Sequence, residues 1–131
     1  MLGGYCGTFL GTNSRYKYNF IHNNWSYIAN MNIGRMFAAC TVFEGKIIVS
    51  GGENEAYENF KLVEAYDYYK NGWTLLPDMI ARRVNHLLIS MSNTLFVICG
   101  KNNCGMEVFD SVNIKFTYLK HVKYSSFLNN V

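Results

Sequence analysis

Histidine, cysteine and acidic side chains are the groups in this 131-residue chain that could hold a metal ion or act in catalysis. The histidines and cysteines are His22, His86, His121, Cys6, Cys40, Cys99 and Cys104. No two cysteines are spaced as CxxC and no HxxxH spacing follows, so the sequence predicts no zinc site. Cys40 and Cys99 lie in apolar strand patterns, where a thiol behaves as a small hydrophobic group. A structural role is favoured for each histidine.

The acidic residues show no spacing that is typical of a catalytic pair. Glu44, Glu53, Glu55, Glu58 and Asp78 lie in predicted loops or turns, where solvation is the expected role. The chain has no GxSxG, P-loop or HExxH motif. The stretch VSGGENEA lacks the lysine and the following helix of a phosphate-binding loop. We therefore predict that the chain is not an enzyme and uses no cofactor or metal.

Composition excludes several further classes. Half of the residues are hydrophobic and 16% are aromatic, which predicts a packed domain. The net charge of +3 is scattered along the chain, so no nucleic-acid partner is predicted. The amino end lacks a basic region, and the most apolar stretch, HLLISMSNTLFVICG, is interrupted by polar residues, so neither a secretory signal nor a membrane span is predicted. We expect a cytoplasmic protein with reduced thiols.

The strongest pattern is an internal repeat, because a shift of 48 residues aligns residues of the same type. The aligned sets are Gly4, Gly52 and Gly100; Tyr18 and Tyr66; Asn23 and Asn71; Trp25 and Trp73; Met31 and Met79; Arg35 and Arg83. Beyond Gly100 the offset falls to 43. It then aligns Glu64 with Glu107, Tyr66 with Phe109, Asp67 with Asp110 and Trp73 with Phe116. The deletion lies between the glycines and the tyrosine position, which predicts a surface loop there.

One repeat predicts four short strands: FAACTVF, KIIVSGG, KLVEAYDYY and WTLLPDM. EG and KNG are turn signals, and the polar stretch ENEAYENF is a longer loop. Short strands at this spacing predict one antiparallel sheet per repeat. The ordered landmarks are a glycine pair that closes the second strand, Tyr-Asp on the third, Trp opening the fourth, and then Met and Arg. They resemble the kelch repeat, which is a blade of a β-propeller.

The resemblance implies an all-β fold of four-stranded antiparallel blades in an incomplete ring of under three blades. Its signature positions are Gly3, Gly4, Tyr18, Trp25, Gly51, Gly52, Tyr66, Trp73, Gly100, Phe109 and Phe116. The tyrosine and tryptophan rings are expected in the core between blades, and the glycines where a tight turn or close packing leaves no room. Cys99 departs from the pattern, because it stands where the other repeats have the first glycine.

The repeat also predicts boundaries. Residues 1–28 end a first blade, 29–76 and 77–119 form a second and a third, and 120–131 begin a further blade or form a frayed tail. Propellers close with four to eight blades. We therefore expect a fragment of a longer propeller; the alternative is a ring assembled from two or three chains.

The phrase GGENEA…LVEAYDYYKNGWTLLPDM is similar to the kelch-like family, in which a BTB domain precedes the propeller. That similarity implies a protein-interaction module that recruits substrate proteins or peptide motifs to a cullin–RING ubiquitin ligase. The BTB and BACK portions are absent from this sequence, so cullin binding is not expected of the chain itself. The alternative is an actin-binding or cytoskeletal scaffold. A kelch-type copper oxidase, with Tyr, His and Cys ligands, is a third class and is not favoured.

The resemblance also implies where a partner would bind. In related kelch proteins, arginines and polar loop residues at the mouth of the ring hold acidic peptides, for which arginine is suited by its bidentate geometry. The candidates here are Arg35, Arg83, Glu53, Asn54, Glu55, Tyr57, Lys101, Asn102 and Asn103. For the two arginines, a structural role as ties to backbone carbonyls at a blade junction is the favoured alternative. In the loop Glu53 to Phe60, Tyr57 is expected to contact a partner and Phe60 to pack.

Overall fold

The structure, a computed structural model, describes residues 5–6, 10–11, 16–101 and 103–119. These residues form twelve β-strands and no helix, which confirms the all-β prediction for this part of the chain. The strands are β1 (Tyr5–Cys6), β2 (Leu10–Gly11), β3 (Tyr16–Asn19), β4 (Asn24–Tyr27), β5 (Ala39–Phe43), β6 (Lys46–Ser50), β7 (Val63–Asp67), β8 (Gly72–Leu76), β9 (Leu87–Met91), β10 (Thr94–Ile98), β11 (Met106–Asp110) and β12 (Lys115–Tyr118). The described residues contain no helix with the length and apolar character needed to cross a lipid bilayer.

Two four-stranded antiparallel sheets dominate the structure. Strands β5 to β8 form the second blade, and each of them pairs with the next along the chain. Strands β9 to β12 form the third blade with the same order. The first strands of the two blades, β5 and β9, are in contact, as expected for blades arranged around a common axis. Strands β1 with β2, and β3 with β4, form two-stranded sheets.

Local turn chemistry explains the tight links within each blade. Glu44 and Gly45 connect β5 to β6 with φ angles of 48° and 71°. A two-residue hairpin turn of this kind requires positive φ at both positions. Between β7 and β8, the Asp67 carboxylate accepts the N–H groups of the second and third residues that follow it, and Asp110 does the same between β11 and β12. The predicted EG and KNG turns are thereby confirmed.

The hydrophobic core lies in the seam, which is the interface between the second and third blades. Its buried members are Phe43, Ile48, Val63, Ala65, Met79, Leu88, Leu95, Val97, Phe109 and Phe116. Val63, Leu95 and Val97 are 0% exposed. Burial of each large apolar side chain contributes about 2 kcal/mol, so the seam supplies much of the driving force that holds the blades together.

One aromatic ring pair recurs in each repeat with nearly the same geometry. The pairs and their centroid distances are Tyr18–Trp25 at 5.1 Å, Tyr66–Trp73 at 5.2 Å and Phe109–Phe116 at 5.1 Å. Phe116 is 6% exposed and Tyr66 2%, but Trp25 is 61% exposed. The expectation that Trp25 lies in the core is wrong for the described structure. This face of a repeat packs against the preceding blade, and no described four-stranded sheet precedes β3 and β4.

The glycine pair that closes β6 satisfies two requirements at once. Gly51 and Gly52 have φ angles of 60° and 90°, where residues with a side chain are strained. A Cβ on Gly51 would lie 2.7 Å from the His86 ring, and one on Gly52 would lie 2.7 Å from the Met36 carbonyl oxygen. Gly51 thus faces the connection that follows the blade, and Gly52 faces the connection that precedes it. A tight turn and close packing were the two reasons that the sequence left open for the glycine pair, and both apply.

The strands of the second blade run from Ala39 to Leu76, and those of the third run from Leu87 to Tyr118. The blade boundaries proposed from the sequence stay a prediction. Gly3, Gly4, Asn102 and the segment 120–131 lie outside the described residues.

Candidate interaction face

One side of the blades is formed by the connections that lead into them and by the loops that follow their second strands. We define the loop face as connections 29–38 and 77–86 with loops 51–62 and 99–105. Met36 and Glu53 exchange backbone hydrogen bonds of 3.0 and 2.9 Å. The Gly52 N–H donates to the Arg83 carbonyl oxygen at 2.8 Å, and the Arg83 N–H donates to Phe60 at 3.0 Å. Hydrogen bonds between main chains therefore join neighbouring repeats on this face.

Arg35 anchors the first connection to the second blade from inside. Its side chain is 0% exposed, and its Nη2 lies 2.5 Å from the Glu64 carboxylate. Its Nη1 donates to the carbonyl oxygens of Gly51 and Leu62, both at 3.0 Å. The other Glu64 oxygen accepts the backbone and side-chain N–H groups of Asn32 at 2.9 and 2.7 Å. Burial lowers the pKa of Arg35, and the charge of Glu64 counteracts that effect.

Arg83 makes the same arrangement in the third blade. Its Nε and Nη2 donate to one Glu107 oxygen at 3.1 and 3.0 Å, and both side chains are 0% exposed. Its Nη1 donates to two carbonyl oxygens in the loop 99–105. Glu107 also accepts the backbone N–H groups of Ile80 and Ala81 at 2.6 and 3.1 Å. A carboxylate with this many donors is well satisfied without water.

The two arginines therefore take the structural role that the sequence had favoured for them. Each guanidinium group faces a carboxylate and carbonyl oxygens in the interior, so neither presents a donor to a partner at the surface. The ion pairs span 29 residues for Arg35 and Glu64 but 24 for Arg83 and Glu107, and the difference equals the five-residue deletion in the third repeat. The sequence alignment had matched the two glutamates without assigning them a role. An acid that recurs in an apolar strand was the signal that could have identified them.

A second buried polar contact crosses the seam. The Ser50 hydroxyl at the end of β6 lies 2.7 Å from Nε2 of His86, which precedes β9. Burial, and secondarily the charge of Arg83, lowers the His86 pKa to about 4, so the imidazole is neutral at neutral pH. A serine beside a neutral histidine is a nucleophile–base pair in many enzymes. Here Ser50 is 0% exposed and His86 Nδ1 has no hydrogen-bond partner that could orient the ring, so the pair is assigned to packing.

The exposed part of the loop face is a loop that orders itself. The Asn54 side-chain oxygen accepts the N–H groups of Ala56 and Glu58 at 3.0 and 2.9 Å, and its amide donates to the Glu58 carboxylate at 2.6 Å. Tyr57 lies within this turn with φ of 59° and is 71% exposed. The loop therefore holds an aromatic side chain out to solvent on a backbone fixed by local hydrogen bonds.

A cleft of about 290 Å³ lies beside this loop and is lined by Gly34, Asn54, Glu55 and Ala56. Glu53 is 7% exposed and contributes mainly its backbone to the loop face. Phe60 is half-buried with its ring 5.7 Å from the Arg35 guanidinium, whereas Tyr57 is exposed.

Two cations, Arg82 and Lys101, are exposed on the loop face. Arg82 was not among the residues predicted to bind a partner, whereas Lys101 was. Arg82, next to the buried Arg83, donates to the Asn59 carbonyl oxygen at 2.6 Å. The Lys101 side chain is exposed, while its backbone N–H donates to Val84 at 2.8 Å. Arg82 and Arg83 thus have opposite environments. The repeat alignment could have indicated this difference, because only Arg83 aligns with Arg35. The described residue Asn103 is half-buried and accepts the Gly105 N–H at 2.9 Å.

Metal-binding groups do not converge in the described part of the chain. No three His, Cys, Asp or Glu side chains there are placed to hold an ion. Cys40, Cys99 and Cys104 are free and exposed.

Comparison with known proteins agrees with this architecture. Residues 34–80 match the family model described as Kelch motif. The chain is 35% identical over 77 residues to F-box/kelch-repeat protein SKIP30 of Arabidopsis thaliana. The aligned region covers 59% of this chain and 22% of that protein. The chain is also 31% identical over 88 residues to Kelch-like protein 41a of Danio rerio. That aligned region covers 67% of this chain and 14% of the relative. The chain therefore spans less than a quarter of the length of either relative.

A solved structure, titled "Structure of YjhT", superimposes with a TM-score of 0.72 at 16% identity and covers 86% of this chain and 46% of that one. Side-by-side four-stranded sheets joined through their first strands define the class: these are blades of a kelch-type β-propeller, and the described sheets form no closed ring. The chain is a kelch-repeat protein related to the kelch-like proteins. Kelch repeats and relatives of this kind support a protein-interaction module.

Proposed function

We propose that this chain contributes to the substrate-recognition surface of a kelch-like adaptor for a cullin–RING ubiquitin ligase in the cytoplasm. The observation that carries the proposal is the pre-ordered loop around Asn54, which exposes Tyr57 beside a cleft. A rigid loop loses little conformational entropy when it binds, and an exposed tyrosine offers a large contact area with a polar tip.

The contacts to the partner come from the exposed residues of the loop face. Asn54 and Glu55 line the cleft, Tyr57 lies in the same loop, and Lys101 lies on the corresponding loop of the third blade. If the partner is an acidic peptide, as the resemblance to kelch-like proteins implies, Lys101 and Arg82 are the cations that meet it, since Arg83 is buried. The buried ion pairs hold the loops in place and do not touch the partner.

The test compares proteins labelled in cells by this chain fused to a biotin ligase. Tyr57→Ala is the test variant, and Val112→Ala is the matched control, because Val112 is 88% exposed in the turn between β11 and β12. We expect a set of proteins that is labelled by the wild type and the control but at least about tenfold less by Tyr57→Ala. Their abundance is expected to rise when cullin–RING ligases are inhibited.

Three results contradict parts of the proposal. An unchanged set with Tyr57→Ala shows that the loop is not the recognition surface. If labelling depends on Tyr57 but the abundance of the labelled proteins does not respond to ligase inhibition, the chain is an interaction module and the adaptor role is rejected. A set dominated by actin and its binding proteins supports the cytoskeletal scaffold instead.

A further inference from the structure

The turns at the opposite end of the strands from the loop face form a second surface. We define the turn side as turns 20–23, 44–45, 68–71, 92–93 and 111–114. These turns join the first strand of a blade to the second and the third to the fourth, and the strands pair antiparallel. The turns therefore share one end of each sheet, and the loop face occupies the other end.

An apolar side chain stands at one position of the turn side in all three repeats. The repeat register aligns Ile21, Tyr69 and Val112 in the turn between the third and fourth strands, and we call these residues the tips. They are 89%, 95% and 88% exposed. Phe20 and Tyr68, which precede two of the tips, are 88% and 58% exposed. Single exposed apolar residues are common on a protein surface, but recurrence at one repeat position indicates a shared role.

The same hydrogen bond holds each tip in place. An Asn or Asp side-chain oxygen at the end of the third strand accepts the N–H group of the tip two residues later. The pairs and their N···O distances are Ile21–Asn19 at 2.9 Å, Tyr69–Asp67 at 3.0 Å and Val112–Asp110 at 3.0 Å. The backbone of the tips is thus ordered before a partner binds, which lowers the entropic cost of binding.

Neighbouring blades leave the tip position exposed. The second blade has a neighbour on both sides, since Lys17 of β3 lies with its Nζ 4.7 Å from the centroid of the Tyr68 ring, and β9 contacts β5. Tyr69 in this blade is nevertheless the most exposed of the tips. The exposure of a tip therefore does not depend on whether a further blade precedes or follows its repeat.

Lysines lie beside the tips. Lys70 is in the turn of the second blade, and Lys115 follows the turn of the third. Among the described residues of the turn side and its adjoining strand ends, four exposed lysines accompany three acids. The lysines are Lys17, Lys46, Lys70 and Lys115, and the acids are Glu44, Asp67 and Asp110. Both aspartates accept N–H groups of their own turns. The turn side thus presents apolar tips with a small excess of positive charge.

We propose that the turn side docks on a membrane surface that contains anionic lipids. The tips enter the region between the head groups and the acyl chains, and the lysines contact the head groups. Isoleucine, tyrosine and valine share apolar character but not shape. A lipid surface accepts apolar side chains of any shape, whereas a protein pocket requires a complementary one, so the tips favour lipid.

Blade geometry supports the same occupant. Blades arranged about one axis are related by rotation, so equivalent tips lie at the same level along that axis. Several side chains at one level meet a flat surface together, and each adds to the affinity of the same molecule. The positive charge of the turn side is complementary to anionic head groups.

The test is co-sedimentation of the 131-residue chain with lipid vesicles over a range of lipid concentrations. One set of vesicles is phosphatidylcholine, and the other is phosphatidylcholine mixed with anionic phosphatidylserine. We expect the wild type to bind the mixed vesicles at least about tenfold more tightly than phosphatidylcholine alone. Raising the salt concentration should weaken this binding, because salt screens exposed charges.

Replacing the tips tests the apolar contribution. Ile21→Ser/Tyr69→Ser/Val112→Ser is expected to weaken binding to the mixed vesicles at least about thirtyfold, since it removes apolar area that the lipid would bury. The matched control is Tyr57→Ser/Leu75→Ser, which removes side chains that are 71% and 59% exposed toward the loop-face end of the second blade. The control is expected to stay within about threefold of the wild type. Val112→Ala alone removes one tip and leaves the loop face unchanged.

Replacing lysines tests the electrostatic contribution. Lys70→Gln/Lys115→Gln is expected to weaken binding to the mixed vesicles about twentyfold. Arg82→Gln/Lys101→Gln is the matched control, because it lowers the net charge equally but changes exposed cations of the loop face. A loss of at most about threefold is expected there, since the loop face does not meet the lipid.

Thermal unfolding checks that each variant is folded, and all the altered side chains are exposed. A wild type that does not bind the mixed vesicles overturns the proposal. Binding that survives loss of the tips, or equal losses in the two charge variants, overturns it as well. If the wild type ignores the vesicles but the tip variant loses proteins that the biotin-ligase fusion labels, the occupant is a protein and the lipid proposal is rejected.

Discussion

Replacing Arg83 with methionine tests whether the buried ion pair holds the connection between the blades. Methionine keeps most of the aliphatic length of the side chain and removes the guanidinium group. Glu107 then loses its bonds of 3.1 and 3.0 Å to Arg83 but keeps the N–H groups of Ile80 and Ala81. Two carbonyl oxygens of the loop 99–105 lose a donor.

The magnitude follows from what the substitution leaves behind. Removal of one partner from a buried ion pair costs about 3–5 kcal/mol, because the remaining charge is uncompensated. The two backbone donors left to Glu107 favour the lower part of that range. The Gly105 carbonyl oxygen keeps the N–H of Cys99, so only the Cys99 carbonyl oxygen is left without its donor, which adds about 1 kcal/mol. We expect Arg83→Met to lower the free energy of unfolding by about 4 kcal/mol, a large share of the stability of a small domain.

A second substitution separates charge from packing. Glu107→Gln is neutral and keeps one side-chain oxygen, which can accept the N–H of Ile80 or of Ala81 but not both, because Glu107 accepts them with different oxygens. The double variant Arg83→Met/Glu107→Gln therefore buries no unpaired charge, and we expect it to regain about 2 kcal/mol relative to Arg83→Met. The neighbouring Arg82→Met is the control, because Arg82 is exposed and makes one hydrogen bond to Asn59. Its cost is expected to stay within about 1 kcal/mol.

The assay is urea unfolding followed by far-UV circular dichroism at neutral pH. All variants are compared at one protein concentration, since association changes apparent stability. If Arg83→Met is as stable as Arg82→Met, the ion pair does not hold the connection. If Glu107→Gln brings no recovery, the loss comes from packing and the reasoning about charge is refuted.

Three further predictions concern the seam and the glycine positions. Because the folded-state pKa of His86 is about 4 and its ordinary value is 6.5, stability is expected to be unaffected by this group above pH 6.5. It should fall by about 3 kcal/mol as the pH drops from 6.5 to 4. In urea titrations, His86→Gln should reduce the dependence of the free energy of unfolding on pH, and the exposed His22→Gln should not. An equal pH dependence in the two variants would reject the assignment to His86. Gly51→Ala should lower the free energy of unfolding by more than about 3 kcal/mol in the same assay, since the added Cβ has no room. Gly45→Ala should lower it by only about 1 kcal/mol, because the backbone there is strained but nothing lies within 4 Å of the added Cβ. Equal losses at the two glycines would remove the packing argument. Cys99 has φ of 55°, so Cys99→Gly should raise the melting temperature, and a lower one would show that its side chain matters more than its backbone strain.

The sequence predicted the blades well because each strand and turn depends on neighbours a few residues away. The short apolar strand around Ile48, the EG turn and the Asp67 turn are local, and they recur in register. Partner surfaces were less accessible to this reasoning. The alignment showed that Arg35 and Arg83 recur, but a recurrence does not tell whether a side chain faces the interior or the solvent.

Contacts between repeats were the features that the sequence could not predict. Ser50 and His86 meet across the seam, yet the aligned positions in neighbouring repeats hold Ile98 and Ala38, so no pattern marks the pair. The exposure of Trp25 has the same origin, since the environment of that ring depends on what precedes its repeat in space rather than on its own spacing.

The hydrogen bonds that Arg83 makes have a consequence for how the chain opens. Its backbone is bonded to Gly52 and Phe60 in the loop between β6 and β7, while its guanidinium group is bonded to Glu107 of β11. One residue therefore links two blades, and neither blade can detach without breaking hydrogen bonds of Arg83. Amide protons of β6 and β11 should exchange with deuterium at similar free energies, as members of a single cooperative unit, instead of in the stepwise order that loosely coupled repeats allow.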